Sequence, residues 1–249
     1  IAPGGKAGPI FLVLLTLGMI FMWGFNAHGA LETLKIIGGF VVLGIPIYLL
    51  MNFHYNPHAT LTFRNRTAEL TRYIEPFLLP KRVRKKVLSE LTPDKSIVFL
   101  GAGSGLILKD PVVNLDKAVV VEHSPSLAHL LQKRFPSLNV LHDEHLISRV
   151  HPDVKQTEAV VSVGLLSAVT HLPSFLKHVH AILPENGRIR FVDYSDFYRV
   201  IPNSIPPKEE LEKMFKDAGF VVKVEKVKSL FWSFVIVEGI KSDTADFYI

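Results

Sequence analysis

The chain has 249 residues, 48% hydrophobic and 20% charged, which is room for one large domain or two small ones. It has no cysteine, which excludes disulfides, thiolate zinc sites and a cysteine nucleophile and leaves the redox compartment open. A net charge of +5 and a mean hydropathy of +0.28 fit a basic surface beside a membrane as well as a nucleic-acid binder, so membrane segments are sought first.

The sequence begins at Ile1 rather than at a methionine, as a processed or truncated chain would. From Ala7 to Leu31 there is no Lys, Arg, Asp or Glu, and Ile10–Phe25 is almost wholly apolar. A second apolar run, Ile36–Phe53, is broken only by Gly38, Gly39, Gly44, Pro46 and Asn52. As helices these runs would span roughly 24–27 Å, against a hydrocarbon core about 30 Å thick. Trp23 and Tyr48 suit the interface. The connector Asn26–Lys35 is short, with one acid, Glu32, and one base, Lys35. Residues 1–55 are therefore predicted to form a two-helix transmembrane hairpin, with membrane lipid as its partner. Lys6 precedes it, and Arg64, Arg66, Arg72 and the cluster Lys81, Arg82, Arg84, Lys85, Lys86 follow. The positive-inside rule then puts both the N-terminus and the large C-terminal part on a cytoplasm-like side. That side is cytosol, mitochondrial matrix or stroma, and the mitochondrial inner membrane is one membrane that fits.

Residues 56–92 read as an amphipathic, basic helical linker. A helix over Thr60–Leu79 places Leu61, Leu70, Ile74 and Phe77 on one stripe, with Arg64, Arg66, Glu69 and Arg72 elsewhere. Pro80 ends it. Lys81–Leu91 is a second helical stretch with Val83, Val87, Leu88 and Leu91 on one side. Its basic face would meet lipid phosphates or solvent.

Residues 93–240 alternate between strands and helices. Strands are predicted at Ser96–Leu100, Ala118–Glu122, Leu138–Leu141, Ala159–Val163 and Arg188–Asp193. Helices are predicted at Ser126–Phe135, Leu172–Leu183 and Lys208–Ala218, the last closed by Gly219. Phe220–Val227 and Phe231–Val237 follow as two more strands. Such alternation implies an α/β domain with a doubly wound, mostly parallel sheet. Only three residues separate the last two runs, too few for a parallel crossover, so the final strand must be antiparallel. The tail 241–249 shows no pattern.

The chemistry begins where the first strand runs into Gly101-Ala102-Gly103-Ser104-Gly105. Glycines there allow a tight turn and close approach of backbone to a ligand. Glu122, 17 residues beyond Gly105 at the tip of the second strand, can accept hydrogen bonds from two ribose hydroxyls. The ordered set VFLGAGSG, VVVEHSPSLAHLLQKRF, NVLHDEHL, EAVVSVGLLSAVTHLPSFLKHVHAILPENGRIRFVDY and PKEELEKMFKDAGFVV resembles the class I S-adenosylmethionine-dependent methyltransferases, in particular those acting on quinones and other small molecules. The resemblance runs from about residue 80 to 240 and implies a Rossmann-like fold with S-adenosylmethionine as cofactor.

By position, the resemblance makes Gly101, Gly103 and Gly105 the cofactor loop and Glu122 the ribose acceptor. It brings Asp143 to the adenine amino group, with His142 and Glu144 beside it, and makes Ser162–Leu165 the floor. On the acceptor side it points to His171, Asp193 and Tyr194 as catalytic candidates, with Asp196, Tyr198 and Arg199 as further lining. Methyl transfer needs alignment above all, and a base only where the acceptor must lose a proton. The sequence departs from the family at Phe99, where an acid usually helps hold the methionine end. It departs again at Pro184-Glu185-Asn186-Gly187, and in the short helix after the loop, interrupted by Pro111.

His142, His145 and His151 lie near Asp143 and Glu144, but no paired ligand motif on a helix appears, so no metal is expected. The basic residues follow the apolar runs without an aromatic-interleaved stripe, so no nucleic-acid partner is expected. The expected function is a membrane-anchored methyltransferase acting on a hydrophobic or lipid-like small molecule. The alternative is a catalytically inactive methyltransferase-like subunit of a larger membrane complex, packing on other subunits through Gly38, Gly39 and Gly44.

Overall fold

A computed structural model describes residues 16–19, 21–23, 29, 31–35, 37–39, 42, 44, 68–146, 148–154, 156–197, 201–202, 205–229 and 232–242. The chain divides into two compact units, Ile1–Phe53 and His54–Ile249.

In the first unit the described residues are helical apart from Gly29. Met19, Met22, Trp23, Leu31, Leu34 and Val42 are exposed there. The two expected spanning runs lie largely outside the described residues. Among the described residues no helix is long and apolar enough to cross a membrane.

The second unit opens with helices α1 (Ala68–Leu78) and α2 (Lys81–Val87). Strand β1 (Ile97–Leu100) follows, then a single 3-10 turn (Ile107–Lys109) and β2 (Ala118–Glu122). The expected short helix after the glycines is thus reduced to that turn. Next come α3 (Pro125–Arg134), β3 (Asn139–His142), β4 (Ala159–Val163), α4 (Leu172–Ile182) and β5 (Arg188–Phe197). A two-residue strand, β6 (Ile201–Pro202), precedes α5 (Lys208–Asp217), β7 (Phe220–Lys228) and β8 (Trp232–Lys241).

The strand order is β3-β2-β1-β4-β5-β8-β7, with β6 paired to β5. Strands β1 to β5 are parallel, while β8 runs antiparallel to both β5 and β7. The chain winds outward from β1 in one direction and from β4 in the other. The crevice at their carboxyl ends is where such sheets bind ligands.

Both faces of the sheet are covered, so its central strands are continuous apolar runs. Val98, Leu100, Val160, Ile189 and Phe191 pack with Phe175, Leu176 and Val179 of α4 and Leu211 and Phe215 of α5. Their sequence neighbours Ile97, Phe99, Val161 and Val192 pack on the other side with Leu79, Val83, Val87 and Leu131. Successive strand residues point to opposite faces, which is why one Val-rich run feeds both clusters. Helix α3 starts at Ser124, whose hydroxyl accepts from the Leu127 amide at 3.2 Å, with Pro125 in its first turn. Helix α5 ends at Gly219, whose φ of +88° suits glycine.

One expectation is corrected. Strand β5 does not stop at Asp193 but continues to Phe197, with a register shift between Tyr194 and Asp196. Its polar end is held by a distant partner: Asp196 pairs with Lys226 of β7. The Leu70 and Phe77 stripe of α1 lies on the outside. Ala68, Thr71, Glu75 and Leu79 are buried, whereas Leu70 and Phe77 are exposed, Phe77 at 77%. Ala68 packs on Leu127 and Leu130 of α3, and Leu79 enters the core under β1. Small and polar residues fit that tight seam, leaving Leu70, Tyr73, Phe77 and Leu78 outside. For α2 the expected row holds: Val83, Val87, Leu88 and Leu91 are all buried.

Candidate functional site

The loop after β1 is shaped by its glycines. Gly101, Gly103 and Gly105 all have positive φ, at +76°, +57° and +84°. At Gly105 a side chain would also collide, since a Cβ would lie 2.6 Å from the Phe135 ring and 2.7 Å from Leu131. At Gly103 a Cβ would lie 2.7 Å from Oε1 of Glu75, which reaches in from α1. The loop is anchored by the Gly101 amide on the Val121 carbonyl at 2.9 Å. Arg134, at the end of α3, donates to the Ser104 carbonyl. Burial and Arg72 hold the Arg134 guanidinium below its ordinary value, against the pull of Glu75 and Glu69.

Glu122 ends β2 and is only 5% exposed. Its Oε2 accepts from the Ala102 amide at 3.3 Å and its Oε1 from the Ser124 amide at 3.3 Å. The carboxylate therefore joins the glycine loop to the turn after β2. Beside it the Asp143 amide donates to the Glu122 carbonyl at 3.1 Å. Asp143 is 6% exposed. Its Oδ1 accepts from the His145 amide at 2.8 Å, which fixes the carboxylate in a tight turn. Its Oδ2 is buried with no hydrogen bond among the described residues, and Arg149 stands 3.9 Å away. Ser162, level with Leu100 on the neighbouring strand, has a buried hydroxyl that also makes no hydrogen bond among the described residues. Such groups are costly unless something else satisfies them.

The far side of the crevice is closed up differently. Asp193 is buried inside β5, not beyond its end. Its Oδ2 accepts from the Ser167 amide at 2.9 Å and hydroxyl at 3.0 Å, and its Oδ1 from the Tyr194 amide at 2.8 Å. Tyr194 is half-buried, edge-on to Trp232 with ring centres 5.7 Å apart. Burial pushes the Asp196 carboxyl up, but the Lys226 ammonium and the Ser233 and Ser195 hydroxyls outweigh it and hold it below the ordinary range. His171 is exposed and caps α4, its Nδ1 accepting from the Ser174 amide at 3.2 Å. Tyr198 and Arg199 lie outside the described residues.

Gly101, Gly103, Gly105, Glu122, Asp143 and Ser162 thus line the carboxyl ends of β1 to β4, at the switch in winding. His142 lies beside them, its Nε2 3.1 Å from the His123 carbonyl oxygen. No three His, Asp or Glu side chains among the described residues come together as a metal cage would require. One site residue escapes the sequence reading altogether. Glu75 sits against the glycine loop, its Oε2 accepting from the Ser104 amide at 3.0 Å and from the Ser104 hydroxyl. The available signal was a single acid in the otherwise uncharged run from Tyr73 to Pro80.

No family model and no curated protein matches this sequence. Solved structures do match. A putative methyltransferase from Haloferax volcanii, solved with the methyltransferase activator Trm112, superposes with a TM-score of 0.58 at 15% identity, over 72% of this chain and 97% of the other. A SAM-dependent methyltransferase from Aquifex aeolicus gives 0.57 at 15% identity, over 71% and 98%. The DhpI–SAH complex gives 0.56 at 15% identity, over 74% and 95%. At these identities the likeness establishes the fold: a Rossmann-like methyltransferase fold with an antiparallel last strand.

Proposed function

We propose that this chain is an S-adenosylmethionine-dependent methyltransferase that works on a hydrophobic or lipid-like small molecule at a membrane surface. One observation carries the cofactor assignment. At the mouth of the crevice, Glu122 and the buried, hydrogen-bond-deficient Asp143 Oδ2 stand side by side at the tips of β2 and β3.

The residues present fit the cofactor. Glu122 would accept from the two ribose hydroxyls, and Asp143 Oδ2 from the adenine amino group. Ser162 would supply a hydroxyl at the floor. Gly101 to Gly105 would let the remainder of the ligand lie against bare backbone. When bound, the cofactor supplies a methyl group on a sulfonium whose leaving group is a neutral thioether. The protein's own work is then to hold and align the reactants. Asp193 contributes by pinning Ser167 in the loop after β4. It is a positioning residue in this account, and Tyr194 continues the same wall. His171 shapes the rim by starting α4.

The membrane part of the reading rests on two surfaces, each considered alone. In the second unit, α1 exposes Leu70, Tyr73, Phe77 and Leu78, and Arg72, Lys81, Arg82 and Lys85 are exposed in the same stretch. An apolar ridge with basic neighbours suits an anionic bilayer surface. In the first unit, the exposed Met19, Met22, Trp23, Leu31, Leu34 and Val42 suit lipid. Phe99, where the family usually carries an acid, is fully buried in the core cluster with Leu79, Val120 and Val161, and that departure is what the inactive-subunit alternative stands on.

The test uses methyl-labelled S-adenosylmethionine, the full chain and anionic vesicles carrying a cellular lipid extract. The expected result is flotation of the protein with the vesicles and label in the organic phase. A well-folded protein that floats but transfers no label would favour the inactive-subunit reading. One that transfers label only to water-soluble acceptors and stays off the vesicles would remove the membrane part.

A further inference from the structure

The two faces of helix α1 do different work. On the inner face Ala68 packs on Leu127 and Leu130 of α3, and Leu79, just past the helix end, joins the core cluster around Phe99. Between them the buried Glu75 accepts from the Ser104 amide at 3.0 Å and from the Ser104 hydroxyl. Arg134, at the end of α3, donates to the carbonyl of the same residue. The amide and the carbonyl of Ser104 are thus both held by side chains, one from each helix. The glycine loop stands where α1 and α3 put it.

The outer face is of another kind. Leu70, Tyr73, Phe77 and Leu78 are exposed. Residues 68–87 carry six bases and two acids, and one of those acids is the buried Glu75. Arg84 donates to the Leu79 carbonyl and Lys86 to Glu225. Arg72, Lys81, Arg82 and Lys85 are exposed along the same stretch as the apolar residues. Apolar side chains rimmed by cations are complementary to a bilayer with acidic headgroups.

A short route joins the two faces. Arg72 precedes Glu75 by three residues, so the two are neighbours along the helix. Burial, and after it the positive charge of Arg72, hold the Arg134 guanidinium below its ordinary value, while Glu75 and Glu69 pull the other way. An acidic headgroup paired with Arg72 cancels its repulsion and leaves Arg134 a firmer grip on Ser104. The helix itself gains from outside support. Pro76 lies within it and removes one of its backbone hydrogen bonds. A surface that binds the ridge favours the helical state that presents it.

We propose that α1 is a lipid sensor for the glycine loop: an anionic bilayer on its outer face steadies the loop that its inner face holds. The consequence for cofactor affinity rests on the methyltransferase reading above, and the consequence for the loop does not. In that reading the chain binds its cofactor best at the surface where a lipid-like acceptor is found.

The full chain is placed in vesicles of phosphatidylcholine alone, or of phosphatidylcholine with phosphatidylglycerol. Hydrogen exchange is followed in peptides covering residues 101–105, without ligand, and S-adenosylhomocysteine is then titrated. The expected result is slower exchange in the anionic vesicles and an affinity about fivefold tighter. Arg72→Gln should show in neutral vesicles the protection that the wild type reaches only in anionic ones. Phe77→Ser, altered only on the outer face, should lose most of the response to lipid charge. Loop exchange that is equal in the two lipids would overturn the proposal. So would a wild-type response to lipid charge in both variants, because the sensor would then lie elsewhere. Protection that follows lipid charge without any binding of S-adenosylhomocysteine would uphold the sensor and remove the cofactor reading alone.

Discussion

The two halves of the crevice leave their polar side chains to different partners. At the tips of β1 to β4, Asp143 keeps one buried oxygen without a hydrogen bond among the described residues, and Ser162 of β4 keeps its hydroxyl. Around β5 most of the polar atoms are taken by the protein itself, although Asp196 Oδ1 also makes no hydrogen bond among the described residues. Asp193 is held by Ser167 and Tyr194, Asp196 Oδ2 pairs with Lys226, and His171 caps a helix. A buried polar group left unsatisfied is expensive, and under the proposed function a bound cofactor offsets that cost in the first half. In the same reading the β5 groups are scaffold that shapes the acceptor's space.

This contrast can be broken by mutation. The largest effect is expected at Glu122. Glu122→Ala removes the proposed ribose acceptor and the Ala102 and Ser124 bonds together, and should weaken S-adenosylhomocysteine about a hundredfold or more, at about 1.5–3 kcal/mol per charge-assisted bond. Next is Asp143→Asn, in which Oδ1 can still cap His145 while an NH₂ replaces the waiting oxygen. Facing the adenine amino group with a donor should cost about tenfold in calorimetry. Changes in the other half should spare the cofactor. His171→Ala should lower stability by about 0.5–2 kcal/mol in denaturant melts, the usual worth of a helix cap. It should leave S-adenosylhomocysteine affinity within about twofold. An acidic limb of the pH–rate profile that vanished in this variant would restore His171 as a base.

The smallest effect concerns the frame outside the crevice. Hydrogen bonds from Lys223 and Lys86 hold the Glu225 carboxyl down to about 2, against an ordinary 4.5. Its folded value is depressed, so its stabilisation is complete above about pH 4.5 and is lost as the pH falls toward 2. Because the pair is solvated, the effect is modest. Glu225→Gln should flatten the stability curve slightly between those limits, and an unchanged curve would show that the pair contributes nothing.

Much of this was legible in the sequence because it depended on local signals. Val119–Val121 and Val160–Val161 read as strands because a parallel sheet covered on both faces admits little else. Gly101, Gly103 and Gly105 mark a turn that needs positive φ, and Glu122 follows at the strand's tip. What escaped was long-range. Residues 194–196 read as lying beyond the fifth strand, yet β5 continues through them and Lys226 pairs with Asp196. The sequence marks an apolar stripe on α1 through Leu70 and Phe77 but not which face meets the protein, and the seam against α3 and the loop takes Ala68, Thr71 and Glu75. Glu75 meets Ser104 across 29 residues, a pairing that no periodicity encodes.

The most direct test of the account is a calorimetric titration of the folded wild-type chain with S-adenosylhomocysteine, repeated with adenosine present as competitor. The account predicts binding in the micromolar range that adenosine weakens, because Glu122 and Asp143 read the adenosine half. A folded protein that gives no heat with S-adenosylhomocysteine, or one that binds it indifferently to adenosine, would contradict it.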